Sequence, residues 1–205
     1  LTEDYIESGD GVAAYLIGRF FHKAGRDVRL VRSRIVGWNE LKSENVIFVA
    51  CLRIQTLANE LAHPAEFEYR STEEIRKRWP TGCIVNLRPR VGEAREYPQQ
   101  VMNGYGQDYA LLSVWPGKRP GRYVMVMGGS HHWGSEGVAD YLTNPESLQE
   151  LNQQFQTCAK RQGLKEHPRF FQVLLRVEIK DQQPVRCSYV THRDLEIPAH
   201  GSRVD

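Results

Sequence analysis

The residues best suited to chemistry lie in a segment that reads GGSHHWGSE and runs from Gly128 to Glu136. An apolar run, YVMVM, precedes this segment, and helically spaced apolar residues follow it, so it is predicted to connect a strand to a helix. The free N–H groups and the dipole at the start of a helix favour an anion or a phosphate. The segment has neither a GxGxxG pattern nor the lysine of a P-loop, so it is not by itself a nucleotide signature.

Several side chains of this loop suit ligand binding. Gly128 and Gly129 would let a ligand approach the backbone closely, and the hydroxyls of Ser130 and Ser135 can form hydrogen bonds. Ser135 is also placed to cap the helix. Trp133 is expected either to stack on a ligand ring or to cover the end of the core.

The same loop offers groups for acid–base chemistry. Glu136 is predicted to lie in the first helical turn, where the helix dipole stabilises a carboxylate. His131 and His132 either act as a general base oriented by Glu136 or make ordinary hydrogen bonds at the surface. Because no third ligand stands at a useful spacing, no metal site is predicted.

Two further segments precede predicted helices. The first, SGDG at 8–11, contains Asp10, which is either an N-cap or a base. The second, CLRIQT at 51–56, contains Arg53, which suits a bidentate contact to a phosphate or else a surface ion pair. Ligands of open α/β sheets bind at the carboxyl ends of the strands, so the three loops are predicted to form one pocket. The predicted ligand-binding residues are Gly9, Asp10, Gly11, Arg53, Gln55, Gly128, Gly129, Ser130, His131, Trp133, Ser135 and Glu136, and the catalytic candidates are Glu136, His131 and Asp10.

The elements that would position these loops are buried strands interleaved with helices. NVIFVAC at 45–51 is a continuous apolar run of the kind found in parallel sheets, and a helical pattern follows it directly. Residues 27–33 alternate as a half-exposed strand does, and 170–192 read as two strands joined by a turn. The fold expected is α/β: a three-layer sandwich with a mostly parallel, Rossmann-like sheet and a C-terminal antiparallel hairpin. A single domain is expected over residues 1–197, with a flexible tail at 198–205.

The composition and the chain's first residue bear on its binding partners, its compartment and its domain context. With 27 basic and 25 acidic residues, the net charge of +2 predicts no direct nucleic-acid binding by this domain. No apolar run is long enough to predict a membrane contact. The four cysteines show no paired spacing, which favours a reducing, cytoplasmic compartment. The chain begins with Leu1, so we expect further domains of the same chain.

Several segments together resemble an uncharacterised bacterial domain often found C-terminal to winged-helix DNA-binding or other signalling modules. They are SGDGVAAYLIGRFF, ELKSENVIFVACLRIQT, DYALLSVWPG, VMGGSHHWGSEGVADYLTNPESL and FFQVLLRVEIKDQQP. The resemblance covers nearly the whole chain and implies a signalling context. In the group, the loop equivalent to 51–55 usually has an asparagine where Gln55 stands, and a threonine is usual where Ser135 stands.

Three functions remain open on these observations. The first is a ligand-sensing or regulatory domain for an anionic or nucleotide-like small molecule. The second is a nucleotide-directed hydrolase, with Glu136 or Asp10 as base and His131 or His132 assisting. The third is a protein-interaction or dimerisation module that pairs with a partner or with a second copy, as a homodimer, through the hairpin at 170–192. The sequence identifies no cofactor.

Overall fold

Helices and strands follow one another irregularly along this chain. The structure is a computed structural model and describes residues 6–32, 36–49, 65–163 and 168–195. Within these ranges the helices are α1 (Ser8–Lys23), α2 (Trp38–Ser43), α3 (Glu73–Arg78), α4 (His132–Thr143) and α5 (Pro145–Arg161). The strands are β1 (Val46–Val49), β2 (Phe67–Arg70), β3 (Cys83–Asn86), β4 (Glu96–Pro98), β5 (Gln100–Met102), β6 (Tyr105–Pro116), β7 (Tyr123–Gly129), β8 (Phe171–Lys180) and β9 (Gln183–Asp194).

The main sheet has six strands in the order β1-β7-β6-β8-β9, with β5 paired to β6 beside this path. Among the described strands, only β1 and β7 pair in parallel. The pairs β5–β6, β6–β7, β6–β8 and β8–β9 are all antiparallel. A second, antiparallel sheet has the order β2-β3-β4.

The expected mostly parallel, Rossmann-like sheet is therefore wrong: the main sheet is mixed, and antiparallel pairs dominate it. The strands β6 and β7 are joined by a tight turn, in which the N–H of Gly117 donates to the carbonyl of Arg122 over 2.7 Å. A connection this short forces antiparallel pairing, whereas a parallel pair needs a long crossover. The continuous apolar runs indicate burial on both faces. Helices cover one face, the second sheet covers part of β6 and β8 on the other, and Val124 and Val126 of β7 pack there against Trp115 instead.

Alternation along β6 separates these two faces. Ala110 and Leu112 pack in the larger core cluster, which includes residues of α1, α4 and α5. The intervening Leu111 packs with Phe67 and Tyr97 of the second sheet. Successive side chains of a strand point to opposite faces, so one strand contributes to both cores.

Buried polar groups join the second sheet to the main one. The side-chain amide of Gln172 accepts from the N–H of Phe67 over 3.0 Å and donates to its carbonyl over 3.1 Å. Its nitrogen also donates to the hydroxyl of Ser113 over 3.1 Å. Gln172 thus binds the backbone of β2 from within β8, and the two sheets are held in a fixed register.

Local predictions have mixed outcomes. The Asn144 side chain caps α5 by accepting from the N–H groups of Glu146 and Ser147, as the sequence predicts. Residues 27–32 are not a strand, so the strand predicted there is wrong. Among the described strands β1 pairs only with β7, in parallel, and each of its four residues is half-buried. The predicted tail at 198–205 lies outside the described residues.

None of the described helices is long and apolar enough to cross a membrane.

Candidate functional site

The first turns of α1 and α4 lie against each other. A Cβ added to Gly9 would lie 2.5 Å from the backbone oxygen of His132 and 2.7 Å from its Nδ1. Glycine is required at this position because any side chain would separate the two helices. The structure thus brings together two of the three loops selected from the sequence, 8–11 and 128–136. The third contains Arg53 and Gln55, which lie outside the described residues.

The buried side chain of Asp108, on β6, lies against the start of α4. It lies on β6 on the same side as Ala110, two residues along the strand, and is 0% exposed. Its Oδ2 accepts from the N–H of His131 over 3.2 Å, and its Oδ1 accepts from the N–H of Tyr109 over 2.8 Å. Burial raises the pKa of Asp108 to about 7, while hydrogen bonds from Tyr109, His131 and Ser130 oppose that rise.

This carboxylate changes the chemistry expected of the loop. The sequence predicts that the free N–H groups before α4 bind an anion from solution. In the structure the N–H of His131 already donates to the side-chain oxygen of Asp108. An external anion would therefore have to displace Asp108 or bind by other means.

The glycines of the loop serve packing between strand and helix. A Cβ added to Gly134 would lie 2.3 Å from the Cα of Gly129, so the backbones of β7 and α4 are in contact there. Gly128 and Gly129 are both buried. Ser130 is 0% exposed, so neither it nor the two strand glycines offers surface to a ligand.

The cap of α4 lies four residues before the predicted one. The helix begins at His132, with His131 as the N-cap residue. Ser135 is therefore not a cap; it is 0% exposed, and its hydroxyl has no hydrogen-bond partner among the described residues. Glu136 lies beyond the first turn, and burial and the nearby Asp140 raise its pKa. The prediction that the helix dipole stabilises the Glu136 carboxylate in the first turn of α4 is therefore wrong.

The start of α1 also differs from the prediction. The helix begins at Ser8, and Glu7 is the N-cap residue. Asp10, expected as a cap or a base, lies within the first turn and is only 8% exposed. Gly11 is exposed beside it.

Glu7 completes a group that the sequence did not reveal. One ligand atom from each of Glu7, His131 and His132 lies within 4.8 Å of the other two, and all three residues are half-buried. Within the described part of the chain, Oε2 of Glu7 and Nδ1 of His132 have no hydrogen-bond partner. Glu7 is remote from the histidines in sequence, so only its position just before α1 could have suggested it.

Trp133 covers this group and does not extend into open space. Its ring stacks on His131 at a centroid distance of 4.3 Å and an angle of 29°. Its Nε1 donates to the carbonyl of Gln182, in the turn between β8 and β9, over 2.8 Å. The tryptophan thus connects the start of α4 to the C-terminal hairpin.

A groove of about 530 Å³ lies at the other end of α4. It is bordered by α1, α4, the start of α5 and β9, and Arg19 and Arg186 both line it, together with Asp140. Its volume is within the range of small-molecule sites. The sequence does not single out these residues, because side chains of four separate elements become neighbours only in the fold.

The arrangement of Glu7, His131 and His132 is suited to holding a cation. Imidazole nitrogens and a carboxylate are ligands of zinc, and a site with three protein ligands keeps a position open for water or an anion. This interpretation depends on geometry alone, because no family model, no curated protein and no solved structure matches the chain.

Proposed function

We propose that this chain is a ligand-sensing or regulatory domain that binds a small anionic molecule at the junction of α1 and α4. The anion would bind through a divalent cation held by Glu7, His131 and His132. One observation carries the proposal: Oε2 of Glu7 and Nδ1 of His132 lack hydrogen-bond partners among the described residues, in a group that also includes His131. Half-buried polar atoms without partners are costly, and a cation would satisfy them.

The charges at the junction favour a cation over a directly bound anion. Glu7 is the N-cap residue of α1, and Asp10 lies in its first turn. An anion placed here without a counter-ion would meet these carboxylates. A divalent cation offsets the negative charge of these carboxylates and offers an open coordination position to a phosphate or a carboxylate.

The position of the site suggests how binding would be transmitted. Glu7 precedes α1, while the two histidines begin α4, so a bound ion would fix the starts of two helices relative to each other. Trp133 extends this connection to the turn between β8 and β9. A ligand that binds one arrangement of these helices more tightly would shift the population toward it.

Calorimetry with Zn²⁺ tests the cation step. We expect Glu7→Gln and His132→Ala each to weaken zinc binding at this site by about tenfold or more, because each removes a ligand. His22→Ala is the matched control, since His22 is exposed in the last turn of α1. Equal zinc binding by all four proteins would overturn the proposal.

A panel of nucleotides and phosphorylated metabolites tests the anion step. We expect at least one compound to bind the zinc-loaded protein and to lose its affinity after EDTA treatment or in Glu7→Gln. If binding survives both changes and is lost in Arg19→Ala, the ligand lies in the groove, and the junction is excluded as its site.

A second candidate function is hydrolysis of a nucleotide or a similar phosphorylated molecule. Two imidazoles and a carboxylate are also a ligand set of catalytic zinc sites, where the metal lowers the pKa of a bound water. Release of phosphate by the zinc-loaded protein, abolished in Glu7→Gln, would support it. A flat time course across the nucleotide panel would exclude it.

A further inference from the structure

A second group of metal-ligating side chains lies on the same face of the main sheet, between α5 and the end of β9. Cys158 is on α5, and His192 and Asp194 are on β9. One ligand atom from each lies within 4.8 Å of the other two. The His192 side chain is 6% exposed and that of Asp194 is 23% exposed.

The histidine ring is held in one orientation. The hydroxyl of Tyr189 lies 2.6 Å from Nδ1, and the ring of Phe155 packs edge-on against the imidazole at 4.9 Å. The other nitrogen, Nε2, is therefore directed toward Asp194. Among the described residues, Nε2 of His192 and Oδ1 of Asp194 both lack a hydrogen-bond partner.

We propose that Cys158 Sγ, His192 Nε2 and Asp194 Oδ1 bind a zinc ion. The distance between Nε2 and Oδ1 is 3.5 Å. Two ligand atoms that each lie about 2.1 Å from a tetrahedral zinc are separated by about 3.4 Å, so the observed spacing matches a shared ion. A thiolate with an imidazole selects zinc over magnesium or calcium, which prefer oxygen ligands.

The surroundings resemble the outer shell of a metal site. A ligating histidine ordinarily forms a hydrogen bond through its other nitrogen, and Tyr189 supplies this contact to His192. The side-chain amide of Gln162 donates to the sulfur of Cys158 over 3.3 Å. Without an ion, two buried polar atoms would remain unsatisfied, and such atoms are rare in native proteins.

A catalytic Cys-His-Asp relay fits this geometry poorly. In such a relay the carboxylate and the nucleophile lie at different ring nitrogens of the histidine. Here Asp194 lies at Nε2, and Tyr189 already holds Nδ1. One ligand atom from each side chain lies within 4.8 Å of the other two, a spacing that suits ligands of one ion. The ion would tie the C-terminal half of α5 to the end of β9.

Titration of the metal-free protein with Co²⁺ tests this site separately from the junction. Cobalt bound to a thiolate shows a near-ultraviolet charge-transfer absorption, which the Glu7, His131 and His132 group cannot produce because it contains no sulfur. We expect this absorption to saturate at no more than two equivalents, because the junction group can also bind cobalt. We expect its loss in Cys158→Ala and its displacement by Zn²⁺. Cys187→Ala, on the neighbouring part of β9, is the matched control and should retain it.

Two further variants make the outcome decisive. Glu7→Gln should leave the absorption unchanged, so failure of the junction proposal and failure of this one are distinguishable. Should Cys158→Ala not fold, Asp194→Asn is used, with an expected loss of Co²⁺ affinity of about tenfold or more. No thiolate absorption in the wild type, or an absorption that persists undiminished in the folded variant, would overturn the proposal.

Discussion

Nε of Arg193 donates to Oε2 of Glu66 across 2.6 Å, which joins the end of β9 to the residues before β2. The Arg193 side chain is 0% exposed, and it also pairs with Glu93. A guanidinium buried to this degree is tolerated only because carboxylates surround it. This contact is the main ionic connection described between the second sheet and the main sheet.

The first prediction follows from this buried pair. Arg193→Ala should lower the free energy of unfolding by about 3–5 kcal/mol, because it leaves two carboxylates without their partner. The control is Arg176→Ala, which removes an exposed pair with Glu178 at 3.4 Å and should cost less than about 1 kcal/mol. Urea denaturation measures both variants. Equal losses would show that the buried network contributes nothing beyond a surface pair.

The second prediction concerns the contact between α1 and α4. Gly9→Ala should lower the free energy of unfolding by about 1–3 kcal/mol, since its Cβ would overlap the backbone of His132. Gly11→Ala is the control, because the nearest atom to its Cβ would be 3.9 Å away, on the side chain of Ile6. The same Gly9 variant should also weaken zinc binding at the junction. Unaltered stability in Gly9→Ala would mean that the two helices are not in contact.

The third prediction concerns the contact between β7 and α4. Gly134→Ala should destabilise the fold by roughly 3 kcal/mol, because a Cβ would lie 2.3 Å from the Cα of Gly129 and neither backbone can yield. Gly18→Ala, inside α1 with open space around its Cβ, should instead stabilise by about 0.5–1 kcal/mol. Thermal unfolding followed by circular dichroism compares the two. If the two substitutions change the free energy of unfolding in the same direction, the prediction is wrong.

The fourth prediction is a pH dependence that arises from Asp108. Its pKa in the folded state is about 7, raised by burial from the ordinary value of 3.8. Between about pH 4 and pH 7 the folded state therefore holds a proton that the unfolded state has lost. The contribution of this group to stability is complete below about pH 4 and falls by about 1.4 kcal/mol for each pH unit up to about 7.

Asp108→Asn removes this titration. The free energy of unfolding of the variant minus that of the wild type should increase steadily from pH 4 to pH 7 and then level off. Denaturation in urea at a series of pH values measures this difference. A difference that does not change with pH would contradict a carboxyl group that is protonated in the fold.

The sequence predicts much of the local structure and little of the strand pairing. The apolar runs that form β6 and β7 and the capped start of α5 can be read from short patterns. The direction of pairing depends on the tight turn at 117–122 and on a second sheet that covers the far face. Neither feature changes the apolar pattern, because a strand buried between two layers reads the same in parallel and antiparallel sheets.

The candidate site was only partly visible in the sequence. The loops at 8–11 and 128–136 do lie together. However, Asp108 accepts the hydrogen bond from the N–H of His131, at the position where the sequence predicted a bound anion. Asp108 begins an otherwise apolar stretch, and only the register of β6 under α4 shows that it is buried. His192 and Asp194 are two residues apart on a strand, a spacing that places both on one face, yet Cys158 reaches them only through packing of α5.

The parallel pairing of β1 with β7 bears on how the chain reaches its native state during synthesis. Val46 to Val49 pair with residues 124–127, which the ribosome adds much later. An early nascent chain therefore exposes the apolar side chains of β1 before its described partner strand exists, a state that chaperones commonly protect. Pairing of such distant segments also raises the contact order, so we expect incorporation of β1 to be slower than closure of the β6–β7 hairpin.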